Sequence, residues 1–113
     1  MAIDFSQIPS PCYVLEEKLL RKNLELINRV QTESGAEIIL ALKGFSMYKM
    51  FPMVKKYLSG ATASSLNEAR LIVEEMGCLA HTYCPAYKPE EFEQIMLRPC
   101  QLHGYSYVIF SLY

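Results

Sequence analysis

The 113-residue sequence lacks the segments that mark membrane and secreted proteins. Its longest apolar runs, such as residues 38–42, fall far short of the roughly 20 residues that a membrane-spanning helix needs. The first residues contain neither the basic segment nor the apolar segment of a secretory signal. We therefore expect a cytoplasmic protein with no membrane partner.

The chain also lacks an excess of charge of either sign. It has 11 basic and 12 acidic residues, a formal net charge of -1, and its basic residues are scattered. Proteins that bind nucleic acids usually concentrate Lys and Arg on one surface. The sequence therefore predicts no nucleic-acid partner.

The cysteines and histidines do not have the spacing of a metal site or a disulfide framework. The four cysteines include no C-x-x-C pair: Cys12, Cys78, Cys84 and Cys100. We expect them to be small, buried and reduced side chains. His81 and His103 lie apart from each other and from any carboxylate-rich motif, so we interpret both as structural or exposed. No metal site is predicted.

An apolar stretch of strand length, residues 38–42, ends at Lys43. Such a run is typical of a strand buried on both faces of a parallel sheet. Counting by twos places Ile39, Ala41 and Lys43 on one face, so the amine shares that face with apolar side chains. Burial disfavours the charged ammonium form, and a neutral amine is the form that condenses with an aldehyde. Lys43 is therefore a candidate Schiff-base residue, although a lysine that ends a strand and extends into solvent explains the same pattern.

Helices and strands are predicted to alternate along the rest of the chain. A helix over residues 16–32 has apolar residues at three- and four-residue spacing and is closed by Gly35. A second helix covers residues 47–58, either starting near Phe51 or kinked at Pro52. A strand of small residues at 61–65 precedes a third helix at 66–76, in which Ser65 and Glu68 have the spacing of a capping box. A strand at 79–84, a helix at 89–97 and a strand at 107–110 complete the prediction.

This alternation predicts the α/β class, with βα units around a parallel sheet. A (β/α)8 barrel typically takes about 250 residues. The four predicted strands therefore correspond either to the amino-terminal half of a TIM-like barrel or to a small open sheet. We find no linker or repeat, so residues 1–113 are interpreted as one partial domain.

Three segments together resemble a known enzyme family. They are residues 41–46 (ALKGFS), residues 60–70 (GATASSLNEAR) and residues 83–88 (YCPAYK), with a lead-in at residues 11–15 (PCYVL). The combination resembles the carboxynorspermidine and carboxyspermidine decarboxylases, which are fold-type III, alanine-racemase-like enzymes that use pyridoxal phosphate. The resemblance spans residues 9–97. It implies a pyridoxal phosphate-binding barrel that lacks the family's carboxyl-terminal β domain, and decarboxylation to norspermidine or spermidine in polyamine biosynthesis.

The resemblance also implies roles for individual residues. Lys43 would bind pyridoxal phosphate covalently at the carboxyl end of the first strand, where barrel active sites lie. Glu68 would help to orient that lysine, with helix capping as its alternative role. Ser64 is small enough to let the cofactor approach, and Thr62 stands where related decarboxylases carry an acidic residue. The substrate would be a small polyamine, and full-length relatives would be homodimers.

Three hypotheses stay open at the level of sequence. The first is that the chain is a fragment of such a decarboxylase. It would be inactive or nearly so on its own, because in such enzymes most residues that surround the cofactor lie beyond the position that corresponds to residue 113. The second is a pyridoxal phosphate-binding protein of the homeostasis type, without decarboxylase activity. The third is a truncated, non-catalytic remnant with no ligand. Residues 98–113 depart from the family pattern. This departure predicts a truncated or frameshifted copy.

Overall fold

A parallel three-stranded sheet forms the centre of the computed structural model, which describes residues 3–84 and 87–97. Its strands lie side by side in chain order: β1 (Ile39–Ala41), β2 (Gly60–Ala63) and β3 (Ala80–Thr82). The register aligns Ala41 with Thr62 and Ala63 with Thr82. The predicted α/β class and parallel sheet are confirmed. The half-barrel stays a prediction, since its fourth strand, residues 107–110, lies outside the described residues.

Helices precede and connect the strands. They are α1 (Glu17–Ser34), α2 (Phe51–Val54) after a 3-10 turn at Tyr48–Met50, α3 (Leu66–Leu71) with a π-helical turn at Ile72–Met76, and α4 (Pro89–Leu97). A further 3-10 turn, Phe5–Gln7, lies before α1. Within the described part of the chain, no helix combines the length and the apolarity that crossing a bilayer requires.

The hydrophobic core lies on one face of the sheet. Leu40 on this face is half-buried, and the other residues are almost fully buried: Leu42, Ala61, Ala63, Ala80 and Thr82. The helices pack on them with Leu24, Phe51, Val54, Ile72 and Met76. On the opposite face, Ile39, Ala41, Thr62 and His81 are only half-buried. The expectation of a strand buried on both faces is therefore wrong for the described residues, because the helices cover one face only.

Helix α1 follows the predicted boundaries closely, and Leu20, Leu24 and Ile27 pack on the core as its apolar spacing predicts. Gly35 ends it with a left-handed φ of 72° and donates its backbone N–H to Gln31 O, as the glycine at this position predicts. Val30 has the same spacing but is 47% exposed. Gln31, one residue further on, is half-buried. A polar side chain takes the inner position because it binds neighbouring backbone groups.

The second helix is shorter than predicted. It starts at Phe51, with Pro52 in its first turn, and ends at Val54 rather than near residue 58. Hydrogen bonds from the Tyr57 and Leu58 amides to Val54 O then continue as turns. Proline needs no amide partner in the first turn of a helix, which explains the start of this helix at Phe51.

Candidate functional site

The candidate site lies at the carboxyl edge of the sheet, where the three strands end together. Beyond the strands, the Leu42 amide donates to Thr62 O (3.3 Å) and the Tyr83 amide donates to Ala63 O (2.9 Å). The chain then turns sharply after β1, since the Gly44 and Phe45 amides both donate to Ala41 O. These contacts place the residues that follow each strand along one edge of the sheet.

Lys43 lies at this edge, two residues beyond the paired Ala41, and its side chain is exposed. The expected burial of the amine among apolar neighbours is wrong, whereas its place at the carboxyl end of the first strand is as predicted. The burial argument fails because Ile39, Leu40 and Ala41 are all only half-buried and because the chain turns directly after Ala41.

Glu68 and Ser65 cap helix α3 in both directions. Ser65 Oγ accepts the Glu68 amide at 3.2 Å. Glu68 Oε2 accepts the Ser64 amide at 2.6 Å, one residue earlier than the usual capping box requires. The capping role of Glu68 is therefore confirmed. The half-buried Ser64 stands at the edge, directly after β2.

Thr62 and His81 occupy the half-buried face of the sheet. Thr62 Oγ1 donates to His81 O at 2.8 Å across the β2–β3 pair. A Cβ built on Gly60 would lie 3.8 Å from His81 Nε2, so the imidazole lies close to the glycine backbone. The Thr62 hydroxyl thus binds a backbone carbonyl at the position where related decarboxylases were expected to carry an acid.

Tyr87, which the sequence identifies only as part of a motif, binds two backbone groups at the end of β3 and just beyond it. Its hydroxyl donates to Thr82 O at 3.1 Å and accepts the Cys84 amide at 3.0 Å. Burial raises the pKa of the phenol above its ordinary value of 10.0, which keeps it in the neutral form that can donate. Tyrosine is a common partner for buried backbone groups, but sequence spacing alone does not reveal which groups it binds.

An open cleft of about 610 Å³ lies beside the turn after Lys43. Its walls are the lead-in residues 13–15 and residues 44–49. The walls include Phe45, Met47 and the exposed Tyr13 and Tyr48. The cleft is mostly apolar and contains one basic residue, Lys49.

The cysteines are less buried than predicted. Cys12 is exposed, because it lies in the lead-in before α1, while Cys78 and Cys84 are half-buried. Burial raises the pKa of the Cys78 thiol, and the nearby Lys55 opposes that shift. Among the described residues, no group of three His, Cys, Asp or Glu side chains could hold a metal ion. Cys100 and His103 lie outside the described residues.

No model of a known protein family matches the chain. Curated relatives do match over 91 residues. The chain is 48% identical to a carboxyaminopropylagmatine decarboxylase from Synechocystis sp. and 45% identical to a carboxynorspermidine/carboxyspermidine decarboxylase from Campylobacter jejuni. Each match covers 80% of this chain and 24% of the relative. The chain therefore spans about a quarter of the length of these relatives.

The fold is similar to a solved structure of the same class of enzyme. That structure is carboxynorspermidine decarboxylase from Campylobacter jejuni, complexed with norspermidine. The TM-score is 0.75 at 46% identity, and the match covers 79% of this chain and 24% of that one. The resemblance to the carboxynorspermidine and carboxyspermidine decarboxylases is thereby confirmed, and about four-fifths of this chain is similar to a quarter of such enzymes.

Proposed function

We propose that this chain carries the cofactor-attachment part of a pyridoxal phosphate-dependent carboxy-lyase, with Lys43 as the attachment residue. The observation that carries the proposal is the position of Lys43 at the carboxyl edge of a parallel sheet, in a chain 45–48% identical over 91 residues to decarboxylases. Active sites of barrel enzymes lie at this edge. We propose accordingly that residues 1–113 form part of such a barrel.

The residues at the edge fit the aldehyde end of pyridoxal phosphate. Lys43 offers an accessible primary amine, and amines condense with aldehydes. Its neighbours along the edge are small, with Gly44 next in the chain and Ser64 after the adjacent strand. Small side chains leave room for an aromatic ring beside the backbone.

When bound, pyridoxal phosphate supplies a conjugated ring that takes up the electron pair left behind as carbon dioxide departs. The residues of this chain have simpler tasks. Lys43 would hold the cofactor through Nζ until the substrate amine takes its place, and the freed Nζ would then donate the proton that replaces the lost carboxylate. Glu68 would fix the turn after β2 through the Ser64 amide, and the small Ser64 side chain would leave space at the edge. In this proposal Glu68 acts on Lys43 only through that turn.

The proposed substrate is a polyamine that carries a carboxylate next to one of its amines. The names of the relatives describe such compounds, namely carboxynorspermidine, carboxyspermidine and carboxyaminopropylagmatine. Decarboxylation would convert one of them into the corresponding polyamine, as a step of polyamine biosynthesis. Because the chain spans about a quarter of these relatives, we expect it to release carbon dioxide slowly or not at all when it is alone. We propose that full-length proteins of this kind are homodimers.

The exposure of Lys43 also suits the alternative of a non-catalytic remnant, so the decisive test is attachment. The chain is mixed with pyridoxal phosphate, reduced with borohydride and digested, and the modified lysines are located by mass spectrometry. We expect a single dominant phosphopyridoxyl group, on Lys43. At the same cofactor concentration, Lys49→Ala should carry as much of this group as the parent chain, and Lys43→Ala should carry none. Equal labelling of Lys43 and the exposed Lys49 would contradict the proposal. Turnover as fast as that of a full-length relative would contradict the expected inactivity.

A further inference from the structure

One phenol binds both ends of the stretch from Thr82 to Cys84. Tyr87 Oη binds Thr82 O at 3.1 Å and the Cys84 amide at 3.0 Å, so both ends of a three-residue stretch are fixed to the same atom. Two hydrogen bonds to backbone groups on one half-buried side chain restrict the conformations of the residue between them. That residue is Tyr83, whose own amide is bound to Ala63 O at 2.9 Å.

Tyr83 continues the half-buried side of the sheet, at the carboxyl edge where Lys43 also lies. Along β3 and beyond it, Ala80 and Thr82 are buried, whereas His81 is half-buried and Tyr83 is 42% exposed. This alternation continues the half-buried face formed by Ala41, Thr62 and His81. Neighbouring strands are about 4.8 Å apart, so Tyr83 lies roughly 10 Å from the end of β1. A lysine side chain with an attached aromatic group spans such a distance.

We infer that Tyr87 is a positioning residue, which fixes the Tyr83 ring at the carboxyl edge so that it contacts the aromatic group held by Lys43. The inference rests on the proposed function. Two aromatic rings in contact stabilise each other beyond the area that they bury. Tyr87 therefore acts on the cofactor only through the turn and through Tyr83.

The inference is tested on the full 113-residue chain with four variants: Tyr87→Phe, Tyr83→Ala, the double variant and Tyr13→Phe. Tyr87→Phe removes only the hydroxyl, and Tyr13→Phe makes the same change on a side chain that is 97% exposed. Circular dichroism first verifies that each variant is folded at the assay temperature. The two measurements are the amide hydrogen exchange of Cys84 and the concentration of pyridoxal phosphate that gives half-maximal borohydride trapping on Lys43.

We expect Tyr87→Phe to speed exchange of the Cys84 amide about tenfold and to raise the half-maximal cofactor concentration about threefold to tenfold. Tyr83→Ala should raise that concentration by a similar factor, and Tyr13→Phe should leave it unchanged. Because Tyr87 acts through Tyr83, its substitution should have no further effect on trapping in the Tyr83→Ala background. If Tyr87 only stabilised the fold, Tyr87→Phe would raise the half-maximal cofactor concentration by the same factor in the parent chain and in the Tyr83→Ala variant.

Two results would overturn the inference while leaving the proposed function intact. In the first, Tyr87→Phe speeds exchange of the Cys84 amide but leaves the half-maximal cofactor concentration unchanged. In the second, Tyr87→Phe raises that concentration by the same factor in the parent chain and in the Tyr83→Ala variant. If the parent chain traps no more cofactor than Lys43→Ala, the proposed function fails and the inference fails with it. The first two results require specific labelling of Lys43, so the two failures are distinguishable.

Discussion

The side-chain amide of Gln31 connects three parts of the fold at the amino end of the sheet, and its removal gives the sharpest stability prediction. Gln31 Oε1 accepts the Ile38 amide at 2.7 Å, just before β1, and Nε2 donates to Tyr57 O at 2.7 Å, just before β2. The Ser59 hydroxyl is a weaker donor to Oε1, at 3.3 Å. Helix α1 is thereby attached to the starts of two neighbouring strands.

We expect Gln31→Met to lower the free energy of unfolding by about 2 kcal/mol. Each of the two 2.7 Å bonds joins a part-buried side chain to a backbone group, and the loss of one such bond costs about 1 kcal/mol. Methionine retains the length of the side chain and its apolar contacts, so the change isolates the polar contacts. In a chain of this size the loss corresponds to a decrease in melting temperature of roughly 10 °C.

Urea unfolding followed by circular dichroism measures this difference. Gln94→Met is the matched control, since Gln94 is exposed and reaches Glu90 O only at 3.4 Å. The control should stay within about 0.5 kcal/mol of the parent. If both variants unfold at the same urea concentration as the parent, the Gln31 contacts do not hold the strands in place, and the reasoning is refuted.

Two further predictions concern Thr82 in the core and the half-buried Cys78. Thr82 is 1% exposed, and its hydroxyl has no hydrogen-bond partner among the described residues. We therefore expect Thr82→Val to raise the free energy of unfolding, measured in urea, by about 1 kcal/mol. A less stable variant would show that the hydroxyl is hydrogen-bonded. Burial raises the pKa of Cys78 above its ordinary 9.0 in the folded chain, so the folded state keeps this proton to higher pH than the unfolded state does. The resulting stability is fully present below pH 9.0 and is lost as pH rises through the folded-state pKa. Urea midpoints measured from pH 7 to 10 should therefore fall less steeply at the alkaline end for Cys78→Ala than for the parent, and identical slopes would contradict this.

The elements of the fold were readable from the sequence because local signals agree with the tertiary structure. The glycine at position 35 ends α1, and Ser65 begins α3 at the capping-box spacing from Glu68. These features depend on backbone chemistry and on side-chain spacing within a few residues. A short window of sequence is therefore enough to predict them.

The environment of the site residues could not be predicted in the same way. Whether Lys43 is buried depends on what covers its face of the sheet, and the described helices lie on the other face. The sequence does not indicate an inner position for Gln31, because glutamine is polar and its hydrogen-bond partners lie 7 and 26 residues away in the sequence. The Tyr87 contacts were missed for a similar reason, since they depend on the path of the chain after β3.

The double capping of α3 affects how future substitutions of Glu68 are interpreted. The carboxylate is bound to the Ser64 amide, so truncation to alanine would release the backbone after β2 and would impair the proposed attachment of cofactor to Lys43 without any direct contact. Glutamine at this position retains an oxygen acceptor and removes only the charge. A comparison of the alanine and glutamine substitutions therefore separates the effect of the hydrogen bond to the Ser64 amide from the effect of the negative charge. Either substitution alone would not distinguish the two.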